Sequence, residues 1–181
     1  MNQICYQEAL FTVKTCQNRY DIHKQVMDAY AMGAPFDERT FIYDVRVINE
    51  EYSAITIREP KLPVHFNPAS KTETFIEGDK REFVLAINLV RRSEGKTKPV
   101  GCIETFLQER LQATGWDEIQ IADCITHLIP VKKRNHSLNL FIGKVTVSAT
   151  ITDPDKVAKG FIHGIGRAKG FGVGTMMLKA K

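Results

Sequence analysis

The sequence predicts an α+β protein of two ferredoxin-like (βαββαβ) units in tandem, the first with a reduced second helix. Three observations predict it. Residues 82–178 alternate strand-like and helical patterning in the order β-α-β-β-α-β. Residues 4–57 run through the first four of those elements, β-α-β-β. Between the two series, Pro60, Pro63 and Pro68 punctuate residues 60–73, where a helix could only be short or broken. The expected boundary is Gly78-Asp79, giving an N-terminal unit at 1–78 and a C-terminal unit at 79–181.

Each element has a local reason. Residues 4–13 are apolar-rich and β-compatible. Residues 20–32 have helical spacing, with Ile22, Val26, Ala29 and Tyr30 on one stripe, and Gly33 and Pro35 end the helix. Residues 41–47 read as a strand. Asn49-Glu50-Glu51 is a turn, and residues 52–57 return as a second strand. Residues 74–76 make a short fourth strand. In the second series, residues 82–90 are strongly strand-like. Residues 101–114 form a helix with Ile103, Phe106, Leu107 and Leu111 inward, stopped by Gly115. Residues 119–130 and 138–151 are strands around a basic connector at 131–136. Asp153 caps the last helix and Pro154 takes its first position. Val157, Ala158, Phe161 and Ile162 supply its apolar face, and Gly164 ends it. A glycine-rich loop then leads to a closing strand at 175–178.

Composition narrows the function classes. The 181 residues are 43% hydrophobic and 25% charged, which excludes wholesale disorder. The chain is long enough to bury a core without disulfide or metal staples. No run of about 18 apolar residues predicts a membrane span, and the N-terminus lacks the pattern of a signal peptide. Cys5, Cys16, Cys102 and Cys124 form no CxxC pair. Cys5 and Cys102 lie in apolar-rich stretches and read as buried thiols in a reducing, cytoplasmic setting. The cysteines and the histidines at 23, 65, 127, 136 and 163 do not cluster, so neither a metal nor another cofactor is expected. His65, His127 and His163 read as structural or surface residues.

Charge is uneven. Residues 1–80 carry 9 Lys+Arg against 12 Asp+Glu, a net of −3. The remainder carries 16 against 9, a net of +7, and the two sum to the chain's +4. That asymmetry points to a polyanion held by the C-terminal half. Two basic groups stand out. Lys132, Lys133 and Arg134, with His136 beside them, lie between two strands, at the expected tip of a hairpin. Arg91, Arg92, Lys96 and Lys98 form the other.

Residues 164–174 hold five glycines in eleven positions. Gly164, Gly166, Gly170 and Gly172 let the backbone approach a ligand closely and take positive φ. Arg167 and Lys169 add charge that favours phosphate. The loop lacks the Gly-Lys-Ser/Thr ending of a Walker loop and leads into a strand. It follows a helix, so it is not a dinucleotide fingerprint.

Residues 163–178, HGIGRAKGFGVGTMML, resemble the glycine-rich signature of the CRISPR repeat-processing endoribonucleases of the RAMP superfamily. The likeness is strongest to the CasE branch of type I-E systems. Gly164, Ile165, Gly166, Ala168, Lys169, Phe171, Gly172 and Gly174 fit its spacing. Tyr20-Asp21-Ile22-His23 is similar to the family's tyrosine and histidine at the start of the first helix. Residues 83–92 are similar to its apolar strand leading into a basic stretch, and the helix at 106–111 has a counterpart. Residues 60–73 depart from the pattern.

The resemblance implies a metal-free RNA cleavage. The 2′-OH beside the scissile phosphate attacks it, leaving a 2′,3′-cyclic phosphate and a 5′-OH. Such a reaction needs a proton acceptor, a proton donor and cations around the phosphorane. His23 is the candidate general acid or general base, because histidine titrates near neutrality. Tyr20, one turn away, takes a supporting role. Lys169 either neutralises the phosphorane or holds the backbone. Arg167 and the two basic groups would bind RNA. The implied partners are a CRISPR repeat hairpin and the subunits of a type I-E surveillance complex, with no membrane involved. Two other readings share the fold: a non-catalytic RNA-binding subunit, for which His23 is dispensable, and a ferredoxin-like protein whose glycine loop binds a small phosphate ligand.

Overall fold

The computed structural model describes residues 1–32, 40–93, 95–133 and 136–179. The elements run β1 (Asn2–Lys14), α1 (Arg19–Ala31), β2 (Ile42–Val47), β3 (Tyr52–Glu59), a 3-10 turn (Val64–Phe66) and β4 (Ala69–Phe75). There follow β5 (Lys80–Asn88), β6 (Val90–Ser93), β7 (Lys96–Pro99), α2 (Ile103–Gln112), β8 (Trp116–Lys133) and β9 (His136–Ile151). The chain closes with α3 (Pro154–His163), a second 3-10 turn (Lys169–Phe171) and β10 (Met176–Leu178).

Two four-stranded antiparallel sheets carry the fold, ordered β2-β3-β1-β4 and β10-β5-β9-β8. Numbered within its own sheet, each order reads 2-3-1-4 or its reverse, the ferredoxin-like arrangement. In the first sheet the 3-10 turn stands where a second helix would be, because three prolines deny a helix its hydrogen bonds. A small two-stranded sheet, β6-β7, projects from the end of β5.

Strand alternation feeds two cores. Ala9, Val13, Ile55 and Ile57 join Ile22 and Val26 of α1. Phe83, Leu85, Ile87, Val145 and Val147 pack under α2 and α3 with Leu107, Leu111 and Phe161. Tyr6 and Phe75 of the first sheet enter the second core, meeting Phe161 edge-on at 5.2 and 5.5 Å. Arg58 of β3 ties the halves together. Its guanidinium lies 3.7 Å from the Phe161 ring centroid and donates to the carbonyls of Phe161 and Met176.

Several expectations shift. Cys5 and Cys102 are exposed, not buried. Cys5 alternates with Tyr6 along β1 and so faces the other way, while Cys102 is the N-cap of α2. The fourth strand starts at Ala69 rather than 74, and the β6-β7 hairpin had no strand signal. Most of the expected connector at 131–136 is strand, since β8 runs through Lys133 and β9 begins at His136. Arg134 and the helix-ending Gly33 and Pro35 lie outside the described residues. Asp153 does cap α3, its Oδ1 accepting from the Lys156 amide at 3.1 Å. No helix among the described residues is long and apolar enough to cross a membrane.

Candidate active site

Three elements distant in sequence converge at the start of α1. Asn18 caps that helix, accepting from the Tyr20 amide. The same side chain accepts from the Lys132 amide at 2.8 Å and donates to the Lys132 carbonyl at 3.0 Å, fastening α1 to the end of β8. Buried Arg19 reaches the glycine-rich loop, its Nε donating to the Phe171 carbonyl at 2.8 Å. Tyr20 packs in a cluster built on Val131, Leu140, Ile142 and Val173, with Ala168 and Phe171. The first helix, the long hairpin and the loop therefore share one apolar floor.

His23 stands on this floor, half-buried. Its ring centroid lies 5.4 Å from Phe171 and 6.1 Å from Tyr20. Its Nδ1 is 3.5 Å from the Tyr43 hydroxyl, which donates to the Gly170 carbonyl at 2.7 Å. Lys133 Nζ lies 5.7 Å from the Tyr20 ring centroid, adding a cation to the same edge. Behind the site, burial raises the Asp44 carboxyl, partly offset by Lys144 and Arg19. Burial lowers the Arg19 guanidinium.

The loop owes its shape to backbone that only glycine tolerates well. Gly172 has φ +70°, and a Cβ there would meet Val45 Cγ2 at 2.7 Å and Tyr43 Cε2 at 2.8 Å. Gly174 donates to the Ala86 carbonyl of β5, and its own carbonyl accepts from Ile165. The Lys169 stem folds back on the loop, its Cδ 3.3 Å from where a Gly164 Cβ would lie.

Of the residues singled out from sequence, the fold brings His23, Tyr20, Lys132, Lys133, Gly170 and Gly172 to this junction. Arg91, Arg92, Lys96 and Lys98 lie apart, on the β6-β7 hairpin, where Arg91 pairs with Lys98 in register. The Arg91 guanidinium also bonds Glu109 of α2. Arg167 is exposed and connects the groups, sharing a concavity with Arg91, Arg92, Glu109 and Arg110. Gly166 is exposed beside it, and Gly164 sits at the α3 terminus. Three residues were missed. Asn18, Arg19 and Tyr43 carry no motif, and their partners lie 114, 152 and 127 positions away.

Chemically, the junction offers an imidazole at a basic surface, held by a phenol and walled by aromatic rings. That suits proton transfer on a bound polyanion.

A family model described as CRISPR associated protein matches residues 6–180. No curated protein matches the chain by sequence. Among solved structures, the fold is similar to the CRISPR endoribonuclease Cse3 bound to a 19-nucleotide RNA, at 14% identity and TM-score 0.70, covering 98% of this chain and 100% of that one. It is similar to Thermus thermophilus Cse3 bound to an RNA representing a pre-cleavage complex, at 16% identity and TM-score 0.72, covering 97% and 99%. It is also similar to a chain of a CRISPR RNA-guided surveillance complex, at 14% identity and TM-score 0.65, covering 98% and 100%. Matched by that family model over nearly its whole length, the chain belongs to the CRISPR-associated protein family.

Proposed function

We propose that this protein is an endoribonuclease that binds CRISPR repeat stem-loops and cleaves precursor CRISPR RNA. One observation carries the reading: an imidazole from the first unit stands against the glycine-rich basic loop of the second, His23 to Phe171 at 5.4 Å. Residues 1–78 would then supply the proton-transfer group, and residues 79–181 the RNA grip. The structures similar in fold include an endoribonuclease with RNA bound and a chain of a surveillance complex, which supports RNA processing and assembly into such a complex.

The reaction is attack of a 2′-OH on its own adjacent phosphate. The O–P bond to the 5′-oxygen breaks, leaving a 2′,3′-cyclic phosphate and a 5′-OH. The nucleophile belongs to the substrate, so no metal-bound hydroxide is required. His23 takes the 2′-OH proton or supplies one to the leaving 5′-oxygen. Tyr20 and Lys133 face the phosphate. Lys169 holds the loop through its stem and lends charge at the tip.

The test is cleavage of a labelled CRISPR-repeat hairpin in EDTA, with a twin carrying 2′-deoxy at the scissile nucleotide. Wild type cuts the first and spares the second. His23→Ala binds the hairpin but cuts it about 10²–10⁴-fold more slowly. Binding without cutting by wild type would leave the non-catalytic subunit as the reading.

A further inference from the structure

Asn88 ends β5 on the sheet face opposite the helices, where its neighbour Ile87 turns into the core. The side chain is 7% exposed, and its Oδ1 has no hydrogen-bond partner among the described residues. A buried amide oxygen in that state is unfavourable, and leucine would fit a strand better. Asn88 also lines a groove of about 540 Å³, walled by Thr97 of β7, Leu128 and Leu138 of the long hairpin, and Arg167 and Phe171 of the loop. Leu128 is 65% exposed. Phe171 is the ring that meets His23, so the groove opens beside the candidate catalytic imidazole.

An apolar slot with an aromatic wall, a cation at its rim and an unpaired amide inside matches one ligand chemistry, a single nucleobase. The Watson–Crick edge of every base places an N–H beside an acceptor, the complement of a carboxamide. In a stem that edge is taken by pairing. Only an unpaired, extruded base can offer it.

We infer that this groove holds one unpaired nucleobase of the RNA, read by the Asn88 carboxamide and stacked on Phe171, next to the scissile phosphate. The inference rests on the RNA-processing reading and deepens it. It also accounts for the geometry that 2′-OH attack needs: the 2′-oxygen must swing into line with the leaving 5′-oxygen, and a nucleotide splayed out of the stack can do so. Asn88 is thus a base-binding residue distinct from the proton-transfer group.

The test uses uncleavable 2′-deoxy versions of a CRISPR-repeat hairpin, each with an abasic site at one unpaired position in turn. Dissociation constants are measured for wild type, Asn88→Leu and Asn88→Ala. At one position the abasic change weakens wild-type binding roughly a hundredfold, the loss of one stacked base together with its hydrogen bonds to Asn88. In both variants that penalty falls to about tenfold, the share of the Phe171 stack that they leave in place. Melting temperature stays level or rises in Asn88→Leu, which separates lost recognition from misfolding. A penalty undiminished in both variants, or none at any position in wild type, overturns the pocket while leaving the nuclease reading intact. A full penalty in a wild type that binds but never cuts unmodified hairpin upholds the pocket and overturns the nuclease. No binding of any hairpin overturns both.

Discussion

The Tyr43 hydroxyl stands between Nδ1 of His23, at 3.5 Å, and the Gly170 carbonyl, at 2.7 Å. A phenol has one proton, and a carbonyl can only accept, so the shorter bond claims it. Tyr43 then faces His23 as an acceptor. That assigns the imidazole proton to Nδ1 and leaves Nε2 as the basic nitrogen of the neutral ring. Tyr43→Phe should lower the cleavage rate of bound RNA roughly tenfold, the worth of one hydrogen bond, with KM nearly unchanged. A rate loss no larger than the loss of stability accounts for would mean Tyr43 acts only through the Gly170 carbonyl and the loop.

Gly172 sets how closely the loop approaches β2. A Cβ at φ +70° would press on Val45 and Tyr43 at under 3 Å. Gly172→Ala should cost about 1–3 kcal/mol of stability by overpacking. Because the displaced neighbour is Tyr43, the rate should fall further than the stability loss predicts. Chemical denaturation and single-turnover cleavage on the same variant separate the two effects.

The β6-β7 hairpin should act on affinity rather than chemistry. Lys96 and Lys98 are exposed, whereas Arg91 is engaged by Glu109 and lies over Phe106. Replacing either lysine with alanine should reduce the slope of log K against log salt by about one if it contacts a phosphate. Arg91→Ala should change the slope less, since Glu109 already offsets its charge. Equal slopes in all variants would move the RNA off this hairpin.

What could be read from sequence was what local chemistry states. Asp153-Pro154 announces a helix start in two residues, and the apolar stripe of α3 follows it at helical spacing. The glycine density at 164–174 marks the loop. Polar edges gave no such signal. Residues 69–72 of β4 and 96–99 of β7 are all exposed, so no alternation marks them as strands. The site was legible by halves. His23 and the loop were named separately, but their meeting depends on Asn18 gripping Lys132 and on Arg19 reaching Phe171. Those contacts join residues more than a hundred positions apart, and no spacing rule encodes them.

The last prediction concerns the strut between the halves. Glu8 of β1 accepts from Arg58 at 2.8 and 2.6 Å and also pairs with Lys71. Burial would raise the Glu8 carboxyl, but Arg58 and Lys71 outweigh it and hold the group below its ordinary 4.5. A carboxyl lowered by folding contributes stability above its unfolded pKa and loses it as pH falls through the folded one. Arg58→Met should destabilise at neutral pH by about 3–5 kcal/mol, because it removes the buried partner of Glu8, leaving only Lys71, and frees the Phe161 and Met176 carbonyls. Glu8→Gln should also be less stable than wild type at pH 7, and that gap should narrow once pH drops below 4.5. Urea midpoints from pH 7 to 3 measure this directly. A gap constant across that range would show that the strut holds the sheets through the carbonyl bonds and the Phe161 ring alone.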